Sequence, residues 1–353
     1  MKNNDLSLIF HPFYYDWEKY PIRGVDRYNF ELLRNLRKLN FDPLVLDSGF
    51  IKNHVEGVVK ELIFPLKLLS KRCRVYHATH PMGAKWALMM NKKPLITTIH
   101  DLLPFHFQGK YNDWGIKYKV KTFSIKIAAQ KSDHLVVGFN SSKDFLINNC
   151  GVNPERISII NYGIDHETYF PDKKKKATDE KIIFFVGELS LAKGVDTLIK
   201  AAHILIQKDS KLRLILGSNG KDREMLVQLT KDLNISGRVE FVGRIREEDL
   251  PQFYRSADIS VFPSRYGFGL ASLEAFACGT PAIAGKTFDA LDFIDDERIL
   301  VDPEDAEELA HKMSKILYDD SLRNELISEG IVMAKRYSWE RMTKEMIDLY
   351  NRF

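Results

Sequence analysis

The chain has 353 residues, 44% hydrophobic and 28% charged, with a formal net charge of +4 and no low-complexity tract, a length and composition that fit two globular domains better than one. No apolar run approaches the roughly 18 residues of a membrane-spanning helix, and MKNNDLSLIF enters a strand almost at once, so neither a span nor a leader is expected. Cys73, Cys150 and Cys278 are far apart and form no C-x-x-C, which argues against disulfides and zinc and fits a reducing cytoplasm.

The charge is unevenly spread. Residues 1–170 hold 24 Lys and Arg against 16 Asp and Glu, a net of +8, and residues 171–353 hold 28 against 32, a net of −4. A basic first half suits an anionic membrane, a polyanion or a phosphorylated substrate, and it equally suits a solvated lysine-rich surface.

Strands and helices alternate along most of the chain, which predicts α/β architecture with parallel sheets covered on both faces. The first strand is expected over 6–10. An aromatic loop follows, with Phe13, Tyr14, Tyr15, Trp17 and Tyr20, and then Gly24 before a helix with Tyr28, Leu32, Leu36 and Leu39 on its apolar side. Further strands are predicted over 43–46, 74–78, 95–99, 134–138 and 157–160. A helix over 116–131 carries Ile116, Val120, Phe123 and Ile127 on one face, with Lys117, Lys119, Lys121, Lys126 and Lys131 around it. That face reads either as a core stripe among solvated lysines or as a surface that rests on a bilayer.

The segment PDKKKKATDEK, 171–181, is charged and lacks apolar periodicity, so it reads as a linker. A second series follows, with strands over 182–186, 212–216, 239–242, 258–262, 281–284 and 299–301. Asp302-Pro303 is read as N-cap and first turn of a helix to Leu317. A last helix is expected from about Trp339 to Tyr350. Domain boundaries are set at 1–170, 171–181 for the linker, 182–336, and 337–353 for the closing helix.

Several stretches carry chemistry, and all fall where strands end, which is where such sheets bind ligands. In ADISVFPSRYGFGLASLEAFACGTPAIA, Gly267 and Gly269 bracket Phe268 in a turn that opens a helix. The first helical amides make an anion site there, and Glu274 lies one turn in, placed to accept hydrogen bonds from hydroxyls. A strand–turn–helix corner of an ordinary α/β domain reads the same way. In GELSLAKG, 187–194, Lys193 is placed to reach a phosphate as a point charge, or is a surface lysine at a helix start. His100, in TIHD, is placed to bind a substrate hydroxyl or is a structural histidine. Gly24 belongs to no G-x-G-x-x-G, so a nicotinamide cofactor is unsupported, and the chain has no D-x-D for a nucleotide-bound divalent metal.

Together these stretches resemble the retaining glycosyltransferases of family four, which have the GT-B fold. The phrases that carry the resemblance are TIHDLLP at 98–104, INYGID at 160–165, VGELSLAKGVDTL at 186–198, FVG at 241–243, the stretch 262–281, LVDPED and YSWERM. The resemblance implies two Rossmann-like domains facing each other across a cleft, with the last helix packed back on the first. It implies a nucleotide-diphosphate sugar, UDP- or GDP-linked, as donor, and no metal or other cofactor. The implied acceptor is a hydroxyl on a polysaccharide or lipid-linked glycan, with no nucleic acid, at the inner face of the membrane or in the cytoplasm. By the same resemblance Lys193 and the amides of Gly269, Leu270 and Ala271 bind the diphosphate, Glu274 holds the ribose, His100 faces the transferred sugar, and Gly24 lets the first loop approach the phosphates.

Two positions depart from that pattern. Glu188 follows Gly187 where the family has Arg, and Tyr266 stands where the first Glu of an E-x7-E pair is usual. An exchange is expected, with Glu188 supplying the carboxylate and Arg265 the cation. The alternatives are a degenerate relative that binds nucleotide or a partner protein, and a GT-B sugar-nucleotide epimerase.

Overall fold

The computed structural model describes residues 5–10, 24–47, 54–100, 102, 105, 115–172, 180–267 and 269–353. The aromatic loop, Phe268 and most of the expected linker lie outside them. The chain divides into two compact units, Met1–Gly163 with Trp339–Phe353, and Ile164–Ser338. The change of unit comes before residue 170, because the 164–170 segment is built into the second unit. Ile164 bridges Ser338, and the buried ring of Tyr169 meets Tyr254 edge-on at 6.1 Å.

The first unit is a six-stranded sheet of β1 (Leu6–Phe10), β2 (Leu44–Asp47), β3 (Val75–Ala78), β4 (Leu95–Ile99), β5 (His134–Val137) and β6 (Ile157–Ile159). Its order is β2-β1-β3-β4-β5-β6, and every pair is parallel. The residues of β1, β3, β4 and β5 are buried throughout, as a parallel sheet covered on both faces demands. The helices, numbered along the chain, are α1 (Val25–Lys38), α2 (His54–Leu69), α3 (Pro81–Met89), α4 (Gly115–Lys131), α5 (Asn140–Cys150) and the closing α13 (Trp339–Tyr350). On α1, Tyr28, Leu32 and Leu36 are buried as predicted, and α1 packs on α13. One core cluster joins Phe64 and Leu68 of α2, Ala84 and Ala87 of α3 and Ala128 of α4. Of the apolar face predicted for α4, Val120 and Phe123 point outward and Ile127 is half-buried. Phe123 is 64% exposed and Val120 is also exposed, and Ser124, Ile125, Ala128 and Ala129 are buried instead.

The second unit is a sheet of β7 (Lys181–Val186), β8 (Leu212–Gly217), β9 (Val239–Gly243), β10 (Ile259–Phe262), β11 (Ala282–Gly285) and β12 (Leu300–Val301), ordered β12-β11-β10-β7-β8-β9 and again parallel. Its helices are α6 (Val195–Ile206), α7 (Arg223–Asp232), α8 (Leu250–Ser256), α9 (Leu270–Ala277), α10 (Phe288–Leu291), α11 (Ala306–Tyr318) and α12 (Asp320–Ala334). The cap of α11 is Asp305 rather than Asp302. Asp305 Oδ1 accepts from Glu307 N at 3.0 Å and Glu308 N at 2.8 Å, while Asp302 closes the preceding turn on Glu304 N at 2.9 Å. A chain running outward from β7 through β8 to β9 must cross back to β10, so strand order reverses between β7 and β10. Ligands in open parallel sheets bind outside the carboxyl ends of strands at such a reversal.

Candidate donor and sugar sites

Both glycine-containing segments singled out in the sequence of the second half leave the sheet at this reversal. GELSLAKG follows β7, and SRYGFG follows β10. Their backbones touch. The Arg265 N–H donates to Ala192 O at 3.1 Å. Gly194 has φ +69°, and a Cβ there would lie 1.9 Å from the Pro263 carbonyl oxygen. The position therefore demands glycine twice over, for its left-handed backbone and for the approach of the other loop.

Side chains tie the same two loops. Arg265 donates through Nη1 to Asp196 Oδ1 at 2.7 Å and through Nη2 to Oδ2 at 3.0 Å, a two-pronged charge-assisted pair. The guanidinium also bonds Thr197 Oγ1 at 3.1 Å and the Leu191 carbonyl, and is 9% exposed. The Arg265 fork, expected from the sequence to supply a cation to the donor, serves protein acceptors here and joins the two loops. Lys193 Nζ sits 4.6 Å from the Tyr266 ring centroid, so Tyr266 holds by its π face the ammonium that the family expectation assigns to the diphosphate. Glu188 is exposed on the loop. That loop is pinned from below by Gly187 N–H to Gly217 O at 3.3 Å, Leu189 N–H to Asn219 O at 3.2 Å and Leu191 N–H to Asp222 Oδ2 at 2.8 Å.

Gly269 is the N-cap of α9 and supplies no side-chain cap, so the amides of Gly269, Leu270 and Ala271 stand at the positive end of the helix. Glu274 follows, 6% exposed, and its Oε2 accepts the Tyr254 hydroxyl at 2.9 Å. Burial and then the Glu274 carboxylate push the Tyr254 phenol well above its ordinary value, so it stays protonated and donates. Tyr254 in turn meets Tyr169, whose hydroxyl donates to Glu247 Oε1 at 2.7 Å. Neither Asp196 nor Tyr254 was singled out from sequence. Asp196 had a local signal, an acid in the first turn of a helix behind Lys-Gly. Tyr254 had none.

On the first unit, His100 follows β4. Its Nε2 donates to the Thr79 carbonyl at 2.7 Å, since a carbonyl can only accept, and in the neutral ring Nδ1 then accepts from the Tyr162 hydroxyl at 3.0 Å. Tyr28 meets the ring edge-on at 4.7 Å. Behind it, His77 bridges the Thr98 hydroxyl and the Tyr350 hydroxyl of α13, both at 2.7 Å. Burial holds His77 neutral, with its pKa down to about 3. Gly24 ends the undescribed aromatic loop with φ 62° and ψ −131°, a conformation open to glycine, at the N-cap of α1. Among the described residues, no three His, Cys, Asp or Glu side chains gather as metal ligands do.

Two parallel six-stranded Rossmann-like units, the second with a glycine-opened helix at its strand reversal, define the GT-B class. Solved structures agree on the fold. Sucrose-phosphate synthase from Thermosynechococcus elongatus matches with a TM-score of 0.82 at 21% identity, over 98% of each chain. HepE from Anabaena, solved with UDP and glucose, matches at 0.76 and 17% identity, over 99% of this chain and 100% of its own. The chain belongs to the glycosyltransferases. Residues 22–168 match the family model Glycosyltransferase Family 4, and residues 167–333 match Glycosyl transferases group 1. O-antigen chain mannosyltransferase B of Escherichia coli is 24% identical, over 94% of this chain and 97% of that relative.

Proposed function

We propose that this glycosyltransferase moves a hexose, with retention and without a metal, from a UDP- or GDP-linked sugar to a hydroxyl of a glycan or glycolipid. One observation carries the reading. The two segments assigned to the donor diphosphate leave adjacent strands at the strand reversal of the second unit and are stitched together there by Arg265, Asp196 and Gly194. When a glycosidic bond to a diphosphate breaks, negative charge grows on the leaving phosphate. Lys193 and the amide end of α9 are assigned to that charge, since a preset lysine and helix dipole beside it would stabilise it without reorganisation. Glu274, oriented by Tyr254, is assigned to the ribose hydroxyls. His100 is assigned to the transferred sugar. That role requires the Tyr162 hydroxyl to give up Nδ1 when donor binds.

The relatives support a glycan acceptor and a nucleotide donor. One is named for an O-antigen chain, and the Anabaena structure holds UDP and glucose. Peripheral contact with an anionic membrane is part of the proposal, since it would bring a lipid-linked acceptor to the enzyme.

Calorimetric titration with UDP, GDP and their sugar conjugates, without added metal, tests the reading when followed by a donor-hydrolysis assay. One nucleotide should bind, its sugar conjugate should turn over slowly, and both activities should fall at least tenfold in Glu274→Ala and Lys193→Ala. The loss of a charge-assisted contact, about 1.5–3 kcal/mol, is of that size. Binding with no turnover in the presence of glycan acceptors would favour the binding-only alternative, for which Glu188 and Tyr266 speak. No binding of any nucleotide would overturn the assignment.

A further inference from the structure

The first unit carries large apolar side chains on the outside of three neighbouring helices. On α2, Val59, Ile63, Leu66 and Leu69 are between 47% and 61% exposed. At about 100° per residue the first three share one narrow stripe, opposite Phe64 and Leu68 in the core. On α4, Val120 and Phe123 are exposed opposite Ala128 and Ala129, and Met89 at the end of α3 is 66% exposed. Since Phe64, Leu68, Ala84, Ala87 and Ala128 meet in a single cluster, α2, α3 and α4 lie on the same side of the sheet and turn these stripes outward together.

The first half of α2 carries Glu56 and Glu61 beside Lys60, and from there on the charge around the stripes is basic. Residues 62–100 contain seven Lys and Arg and no Asp or Glu, and α4 contains five Lys and no acid. Lys67, Lys71, Lys119, Lys126 and Lys131 are exposed. We infer that the outward face of α2 and α4 is a docking surface for an anionic lipid bilayer. The apolar stripes enter the headgroup boundary, and the lysines meet the lipid phosphates. Charge complementarity selects this occupant. A second copy seated face to face would set these lysines against their own equivalents, and protein interface cores are depleted in lysine. The inference rests on the membrane contact of the proposed function and names the surface that would make it.

Flotation with vesicles tests it, using phosphatidylcholine alone and phosphatidylcholine mixed with phosphatidylglycerol. The full chain should float with the mixed vesicles at low salt, stay behind with the neutral ones, and release at high salt. Lys119→Glu with Lys126→Glu should weaken partitioning about tenfold or more, as expected for two surface charges. Leu66→Ser with Phe123→Ser should weaken it comparably even at low salt, and Lys208→Glu on the second unit should change little. The surface assignment fails if anionic vesicles do not bind at low salt, or if they bind all variants alike. It fails also if light scattering shows a dimer that the Leu66→Ser, Phe123→Ser variant dissolves. Nucleotide titration of each variant is read separately, so loss of vesicle binding with intact nucleotide binding overturns this surface and not the transferase.

Discussion

Gly194 is the residue on which the joining of the 187–194 loop to the loop after β10 turns. Any Cβ there meets a backbone carbonyl at 1.9 Å and asks for a φ of +69°. Gly194→Ala should cost roughly 2–4 kcal/mol in denaturant unfolding and abolish nucleotide binding, because the loops must separate to admit the methyl group. Tyr254→Phe is subtler. It removes the donor to Glu274 Oε2 and nothing of the ring packing, and should weaken nucleotide affinity several-fold while leaving far-UV circular dichroism unchanged. Asp26 gives a pH signature. Burial at the start of α1 lifts its carboxyl from 3.8 to about 6. A raised carboxyl favours the neutral form, so its contribution to stability is complete below about 3.8 and is lost as pH rises through about 6. Asp26→Asn should therefore stabilise the protein by on the order of 1–3 kcal/mol at neutral pH and scarcely at all at pH below the lower value, as urea titrations at the two pH values would show.

At the scale of elements, the strands were legible and the ties between loops were not. Among the described residues all twelve strands lie close to the predicted spans, because buried parallel strands are short apolar runs bounded by turn residues. The helix α2 escaped notice because Pro65 lies inside it and apolar residues occupy both its buried and its exposed faces, which blurs the helical period. The apolar stripe of α4 was found, but its direction was not fixed by spacing. The small residue Ala128 won the core beside Ala84 and Ala87 of α3, which packs closely on α4, and Ala129 joins a second cluster with Ile125, Leu135 and Leu146. The glycine segments were legible as punctuation. The pairing of Arg265 with Asp196, 69 residues apart, was not, since a tertiary contact leaves no local period. Arg265→Lys checks what that pair does. A point charge cannot reproduce the two-pronged bond, so protease susceptibility of the 187–194 segment should rise and nucleotide affinity should fall several-fold with little loss of global stability.

In the molecule as a whole the two units carry different features. The second carries Lys193, Glu274 and the amide end of α9 at its strand reversal, and the first, completed by α13 through His77 and Tyr350, carries His100 and the exposed lysines of α4. The two-sheet architecture was readable from the alternation of strands and helices, whereas the membership of α13 in the first unit came from the family resemblance. Hydrogen exchange of the full chain with and without saturating UDP or GDP tests the central claim most directly. Nucleotide should slow exchange in the 187–194 segment and across 267–274, at the carboxyl ends of β7 and β10, with smaller changes at the opposite ends of those strands. Protection elsewhere with none in these two segments would contradict the placement of the donor site.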